Sequence, residues 1–206
     1  MQSTFFEQLK RIQALAEIGL EYRNSSYDNE RYIEIQEICL EMLELLTDVP
    51  VTKIQPIIQE KNGYKTPKVD VRAVVFNPEG KILLVQEKID GYWALPGGWA
   101  DVGYTPRQVA EKECFEEAGL NVRANRLLAV MDKTAQQMPP EFEYVYKLFI
   151  FCEPVGDRLA IGDETTDVNW FSEHDLPELS KPRNLESQIH MMFEYFKGER
   201  VDIYLD

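Results

Sequence analysis

Near residue 50 the spacing of apolar side chains changes, and that change limits what the chain can fold into. Before it, Phe5, Leu9, Ile12 and Ala16 recur at intervals of four, three and four. Tyr32, Ile35, Cys39, Met42 and Leu46 recur at three, four, three and four. Each series predicts an apolar stripe along one helix face. Residues 22–29 include Asn24, Ser25, Ser26 and Asp28, which favour turns and helix N-caps, so the two helices are expected to form an antiparallel hairpin. Between Glu7 and Asp48 ten acids face four bases, which predicts a solvated, negative outer surface. Two helices cannot bury both of their faces alone. The hairpin is therefore expected to pack on the rest of the chain or on a second copy, with a direct part in substrate binding as the alternative. Residues 49–68 carry Pro50, Pro56, Pro67 and the pair Asn62-Gly63. They read as a linker, dividing the chain into 1–62 and 63–206.

Beyond the linker, strands dominate. Val69–Phe76 and Lys81–Val85 are rich in β-formers, and Asn77-Pro78-Glu79-Gly80 between them has the preferences of a type I turn; a hairpin is expected. A glycine-rich loop runs from Gly91 to Trp99. Thr105-Pro106-Arg107-Gln108 combines a capping Thr, Pro at the first helical position and Gln at the third. The helix it opens should span 106–118 and end at Gly119. Strand-like runs follow at 126–131, 144–152 and 168–171, and a helix over 184–196 closes the pattern. Strands interleaved with two long helices imply α+β or a three-layer α/β/α sandwich.

Composition narrows the function. Lys+Arg 22 against Asp+Glu 36 gives a net charge of −14. That argues against a broad basic surface for nucleic acid, although it leaves open a nucleotide reached through bound cations. No apolar run exceeds five residues, as in Leu148–Cys152, far short of the roughly 20 that a membrane helix needs. The first residues show no basic stretch followed by an apolar one, so no secretory signal is expected. Three widely spaced cysteines, Cys39, Cys114 and Cys152, suit reduced thiols and a cytoplasmic protein.

The chemistry is expected on the middle helix. Glu113, Glu116 and Glu117 stand at i, i+3 and i+4 and share one face. Like charges this close repel unless something positive compensates them, and Lys112 is expected to point elsewhere around the helix. Ala110, Cys114 and Ala118 form an adjacent small apolar stripe that would seat the helix on a sheet. Carboxylates bordering such a face suit a hard cation such as Mg²⁺ or Mn²⁺; by themselves they equally describe a solvated acidic surface.

Their context decides. Gly98, five residues, Tyr104, seven residues, then Lys112-Glu113-Cys114-Phe115-Glu116-Glu117-Ala118-Gly119-Leu120 resembles the Nudix box. In it Tyr104 stands where the family has Glu, and Lys112 where it has Arg. Trp93-Ala94-Leu95-Pro96-Gly97-Gly98, Trp170-Phe171 and Leu176-Pro177 also resemble Nudix domains, and the likeness covers about residues 66–200. With the helical hairpin, Gly97-Gly98-Trp99-Ala100-Asp101-Val102-Gly103 is similar to a bacterial subgroup of ADP-ribose and CDP-choline pyrophosphatases. The resemblance implies an α/β fold, a Nudix-type α/β/α sandwich with a mixed sheet. It also implies Mg²⁺-dependent hydrolysis of a nucleoside diphosphate linked to a group X, giving a nucleoside monophosphate and phospho-X. Glu113, Glu116, Glu117 and the Gly98 carbonyl would be metal ligands. Glu116 or Glu117 would help deprotonate water, and Glu164 is the candidate for a further base, with Asp163 and Asp167 as competitors. Arg72 and Lys147 are the basic residues best placed for phosphate, and Trp99 is the aromatic candidate for stacking. The replacements at 104 and 112 put the rate and the orientation of Glu113 in question. Alternative readings are an RNA-end hydrolase, which the charge disfavours, and a Nudix domain that senses a nucleotide without cleaving it. A homodimer through the N-terminal helices is expected.

Overall fold

The computed structural model describes the backbone of residues 2–22, 25–58 and 65–206, and the side chains of these residues except 2–4, 26 and 58. The chain divides into a helical unit, residues 1–67 with Pro140–Tyr144, and a sheet-containing unit, Lys68–Pro139 with Val145–Asp206.

In the helical unit, α1 (Gln2–Glu21) and α2 (Ser26–Thr47) form the expected hairpin. The Ser25 hydroxyl accepts the Asp28 N–H at 3.1 Å and so caps α2. The core is Phe6, Leu9, Cys39, Leu40, Leu43 and Ile54. Of the expected stripe, Leu9, Ala16 and Cys39 are buried, whereas Phe5, Ile12 and Ile35 are exposed. Phe6, Leu40 and Leu43, a neighbouring set at similar spacing, are buried instead. The linker reading is corrected in part: Val51–Ile58 forms a third helix, α3, whose Ile54 is fully buried. Pro56 is the sixth of its eight residues, where it cannot supply the helical donor to the Thr52 carbonyl. Asn62-Gly63 lies outside the described residues. In the 140–144 segment the Phe142 ring lies 5.4 Å from that of Phe6. Lys10 Nζ donates to the Glu143 carbonyl at 3.1 Å and sits 4.5 Å from the Tyr144 ring.

The second unit contains β1 (Lys68–Val75), β2 (Ile82–Glu87), β3 (Trp93–Ala94), β4 (Gly97–Trp99) and α4 (Pro106–Ala118). After them come β5 (Val122–Asp132), β6 (Val145–Pro154), β7 (Thr165–Phe171), α5 (Glu186–Lys197) and β8 (Tyr204–Leu205). A mixed sheet has the order β4-β1-β6-β5-β8, and a second sheet the order β3-β2-β7. The β1–β2 hairpin is a correction. The turn forms, with Gly80 N–H donating to the Asn77 carbonyl at 2.9 Å, but the strands part after the single bridge Phe76↔Ile82. β1 pairs instead in parallel with β6 over eight residues, and antiparallel with β4. The glycine-rich loop likewise contains two short strands, β3 and β4.

Strand alternation builds the layers. Val71, Ala73 and Val75 of β1, with Leu83 and Val85 of β2, face a core shared with Val109, Ala110, Cys114 and Ala118 of α4. Val74, Ile82 and Leu84 face the opposite core, with Ile189, Met192 and Phe193 of α5. Period two sends successive residues to opposite faces, so the strands are sandwiched between α4 and α5. Among the described residues no helix is long and apolar enough to cross a membrane.

Candidate active site

α4 starts and stops as its sequence dictates. Thr105 accepts the Gln108 N–H at 3.3 Å while Gln108 Oε1 accepts the Thr105 N–H at 2.9 Å, Pro106 is the first helical residue, and Gly119 ends the helix at φ 65°. These ends fix the angular position of the three glutamates. Val109, Ala110, Cys114 and Ala118 press into the core, and Glu117 is carried in beside them, only 6% exposed.

Glu117 meets the turn between β3 and β4. Its Oε2 accepts the Gly97 N–H at 2.9 Å. Gly97 has φ +150°, and a Cβ there would lie 2.1 Å from the Val71 carbonyl oxygen, so only glycine brings the turn this close to β1. Glu113 covers the next residue: a Cβ on Gly98 would lie 3.2 Å from its Oε2. The turn itself is held at Leu95. Arg72 Nη1 donates to the Leu95 carbonyl at 3.1 Å, and Asn184 Oδ1 accepts the Leu95 N–H at 2.9 Å.

Lys112 overturns one expectation. Its Nζ lies 2.9 Å from Glu116 Oε2 and 3.3 Å from Glu113 Oε1. The i,i+4 spacing brings 112 over 116, and a four-carbon stem reaches the neighbouring carboxylate as well. Glu116 is exposed and turned to this lysine; Glu113 is partly buried, Glu117 buried. The three acids are thus split between two attachments. Among the described residues no group of three or more His, Cys, Asp or Glu side chains is gathered in position to hold an ion.

Their electrostatics nonetheless fit a cation. Burial pushes the Glu117 carboxyl up to about 8, with Glu87 and Glu113 adding to the rise and Arg72 and the Gly97 N–H opposing it. Burial also raises Glu113 and Glu87. Carboxylates crowded and desolvated in this way are short of positive charge, which is the condition an oxygen-ligated divalent ion relieves.

Arg72 and Lys147 are interior. Arg72 Nε and Nη2 donate to Asp70 at 2.8 and 3.2 Å, and Lys147 Nζ, with no exposed surface, also donates to Asp70. Burial alone would raise the Asp70 carboxyl, but these two cations hold it below the ordinary range. Burial and the Arg72 charge push Lys147 down to about 7. The two bases are brought together on Asp70 in the interior rather than onto an outer surface. Trp99, 48% exposed at the end of β4, carries Lys68 Nζ at 5.5 Å from its ring. Glu164 is exposed in the loop before β7, and its charge acts on Glu87.

Glu87, Arg183, Asp90 and Asp70 are not singled out by sequence. Glu87, buried at the end of β2, pairs with Arg183 at 2.7 Å, and Arg183 reaches Asp90 at 3.1 Å. Residues 87 and 183 are far apart in sequence and belong to no motif. Asp70 was findable: an acid two places before a base on one strand shares its face.

The box, its flanking turn and the two-sided sheet define a Nudix domain, and comparison with known proteins agrees. Residues 66–193 match the NUDIX domain family, and residues 3–58 match a family described as UDP-X-like, N-terminal oligomerisation domain. The chain belongs to the Nudix hydrolase family and carries that N-terminal domain. A Bacillus subtilis (strain 168) protein named "Putative ADP-ribose pyrophosphatase YjhB" is 39% identical over 197 residues, covering 96% of this chain and 94% of that protein. The structure of an ADP-ribose pyrophosphatase from Streptococcus suis 89-1591 is 40% identical, with a TM-score of 0.62 over 68% of this chain and 100% of the other. That of a UDP-X diphosphatase is 31% identical, with a TM-score of 0.64 over 100% of both chains.

Proposed function

We propose that the chain hydrolyses the pyrophosphate of a nucleoside diphosphate joined to a second group, with ADP-ribose as the substrate and Mg²⁺ as the cofactor. The observation that carries this is the placement of Glu113 and Glu117 on the Gly97–Gly98 turn, desolvated and undercompensated. The names of two of the three relatives support ADP-ribose, while that of the third points to a UDP-linked substrate; CDP-choline, which resembles ADP-ribose around the pyrophosphate, is a further competing substrate.

Glu113, Glu117 and, once released by Lys112, Glu116 would hold the divalent ion together with the Gly98 carbonyl. When bound, the ion supplies charge neutralisation at the phosphate oxygens and makes water easier to deprotonate. Glu164 takes the proton as the water oxygen bonds to phosphorus and the bridging P–O bond breaks, leaving nucleoside monophosphate and phospho-X. Glu116 or Glu117 assists as a second acceptor. Trp99 offers an exposed ring for stacking the base. Arg72 holds the turn through the Leu95 carbonyl and Lys147 pairs with Asp70, so both act from the interior rather than by touching phosphate. The N-terminal helices pair two copies of the chain.

The test incubates the purified chain with Mg²⁺ and ADP-ribose, CDP-choline, a UDP-sugar or capped RNA and measures nucleoside monophosphate release. AMP and ribose 5-phosphate from ADP-ribose, lost on chelation with EDTA, is the expected outcome. Faster release of CMP from CDP-choline would replace the substrate assignment. Tight binding without release would replace the enzymatic one.

A further inference from the structure

The last turn of α4 ends against the loop that precedes β7. A helix C-terminus leaves carbonyls without donors of its own. Here the Ala118 carbonyl accepts the Ala160 N–H at 2.9 Å, and the Glu117 carbonyl accepts the Thr165 hydroxyl at 2.9 Å. The same hydroxyl oxygen accepts the Gly162 N–H at 2.9 Å. Nothing larger than glycine fits at 162, where a Cβ would lie 1.8 Å from the Glu116 carbonyl oxygen. At the other side of the loop, the Lys88 N–H donates to the Glu164 carbonyl at 3.0 Å. The backbone on both sides of Glu164 is therefore tied to the helix of Glu113, Glu116 and Glu117 and to the end of β2. Thr165 is buried, and its one hydroxyl both donates and accepts in this junction.

We propose that Thr165 is a positioning residue: its hydroxyl sets the separation between Glu164 and the glutamates of α4. The proposal rests on the reading of Glu164 as the proton acceptor. It predicts that the hydroxyl matters to the reaction only through Glu164. A shift of about 1 Å in a reacting group can cost on the order of a hundredfold in rate, so even a modest slackening of the loop should be measurable.

Thr165→Val keeps the shape and removes both hydrogen bonds, and Thr165→Ser keeps them. In the full chain, Thr165→Val is expected to lower kcat on ADP-ribose about tenfold with KM within about twofold, and Thr165→Ser to restore it. On a Glu164→Gln background the valine should cost less than about twofold, since the group it positions is absent. Binding of Mn²⁺, followed by electron paramagnetic resonance, should be unchanged, and the Gly162 amide should exchange with D₂O faster than in wild type. Thr165→Ala, read by the same criteria, replaces the valine variant if that variant does not fold. Full loss on the Glu164→Gln background, weaker Mn²⁺ binding, or a serine variant as slow as the valine one overturns the inference. A wild-type chain inactive on every nucleoside diphosphate overturns the hydrolase reading and this inference with it. An active wild type with additive variants overturns this inference alone.

Discussion

Burial holds the Glu117 carboxyl neutral to about pH 8 in the ion-free chain, against 4.5 for the free side chain. Between those values the folded state binds a proton that the unfolded state has lost, so the stability contributed here is present at low pH and fades as pH rises toward 8. Without divalent ions the melting temperature should fall from pH 5 to pH 8 more steeply in wild type than in Glu117→Gln, and Mg²⁺ should raise it more at pH 8 than at pH 5.5. Parallel melting curves for the two proteins would contradict this. The same variant should lose at least about a hundredfold in kcat, on the scale of removing one preorganised charge from a transition state. Lys112 acts in the opposite sense. It occupies Glu113 and Glu116 at 3.3 and 2.9 Å and adds a positive charge where an ion would bind. Lys112→Met should therefore tighten Mn²⁺ binding severalfold, seen by calorimetry; unchanged or weaker binding would show the lysine to be a support for the acids rather than their competitor. Sequence spacing set the three glutamates within one turn of α4 but did not foresee that burial would divide them, Glu117 inward and Glu116 outward, and it pointed Lys112 away. Helical position fixes the Cβ direction, whereas a long side chain is free to fold over its neighbours.

At the level of elements, the β3–β4 turn is where a small change should do most damage. Gly97→Ala would force a Cβ onto the Val71 carbonyl, at 2.1 Å, and disturb the Arg72↔Gly97 pairing of β1 with β4. A loss of about 2 kcal/mol or more is expected in urea unfolding, together with loss of hydrolysis; an alanine variant of wild-type stability would mean that the turn relaxes freely. What could be read in advance followed locality. The capping box, Pro106 and Gly119 delimited α4 to the residue, because each acts within one turn of its own position. Asn77–Gly80 likewise made its turn, but a turn does not choose strand partners, and β1 found β6 more than seventy residues away. Glu87 and Arg183 escaped notice for the same reason. Residues 51–58 read as linker from Pro50, Pro56, Pro67 and Asn62-Gly63, whereas the burial of Ile54 makes them a helix.

For the whole molecule, the acids serve different ends. Those at 113 and 117 are drawn inward at one turn, while nine of the ten in the first fifty residues are at least partly exposed on the hairpin, Glu17 being buried, and α2 also exposes Ile38 and Leu45, at 48% and 84%. They stand seven residues apart, on one face of the helix. If that face joins two copies, light scattering of the full chain should give twice the chain mass, and Ile38→Glu combined with Leu45→Glu should halve it; a dimer that survives both charges places the interface elsewhere. The helical unit has one further property that matters to anyone who would divide the protein. It is assembled from two stretches of chain, because residues 140–144 belong to it while β5 and β6, which flank them, do not. Cutting after residue 67 would leave Phe142 without Phe6, and the Glu143 carbonyl without the Lys10 ammonium. A catalytic fragment made by that cut would keep every glutamate of the box and still carry an open wound in the middle of its sequence, so a clean excision has to replace 140–144 as well.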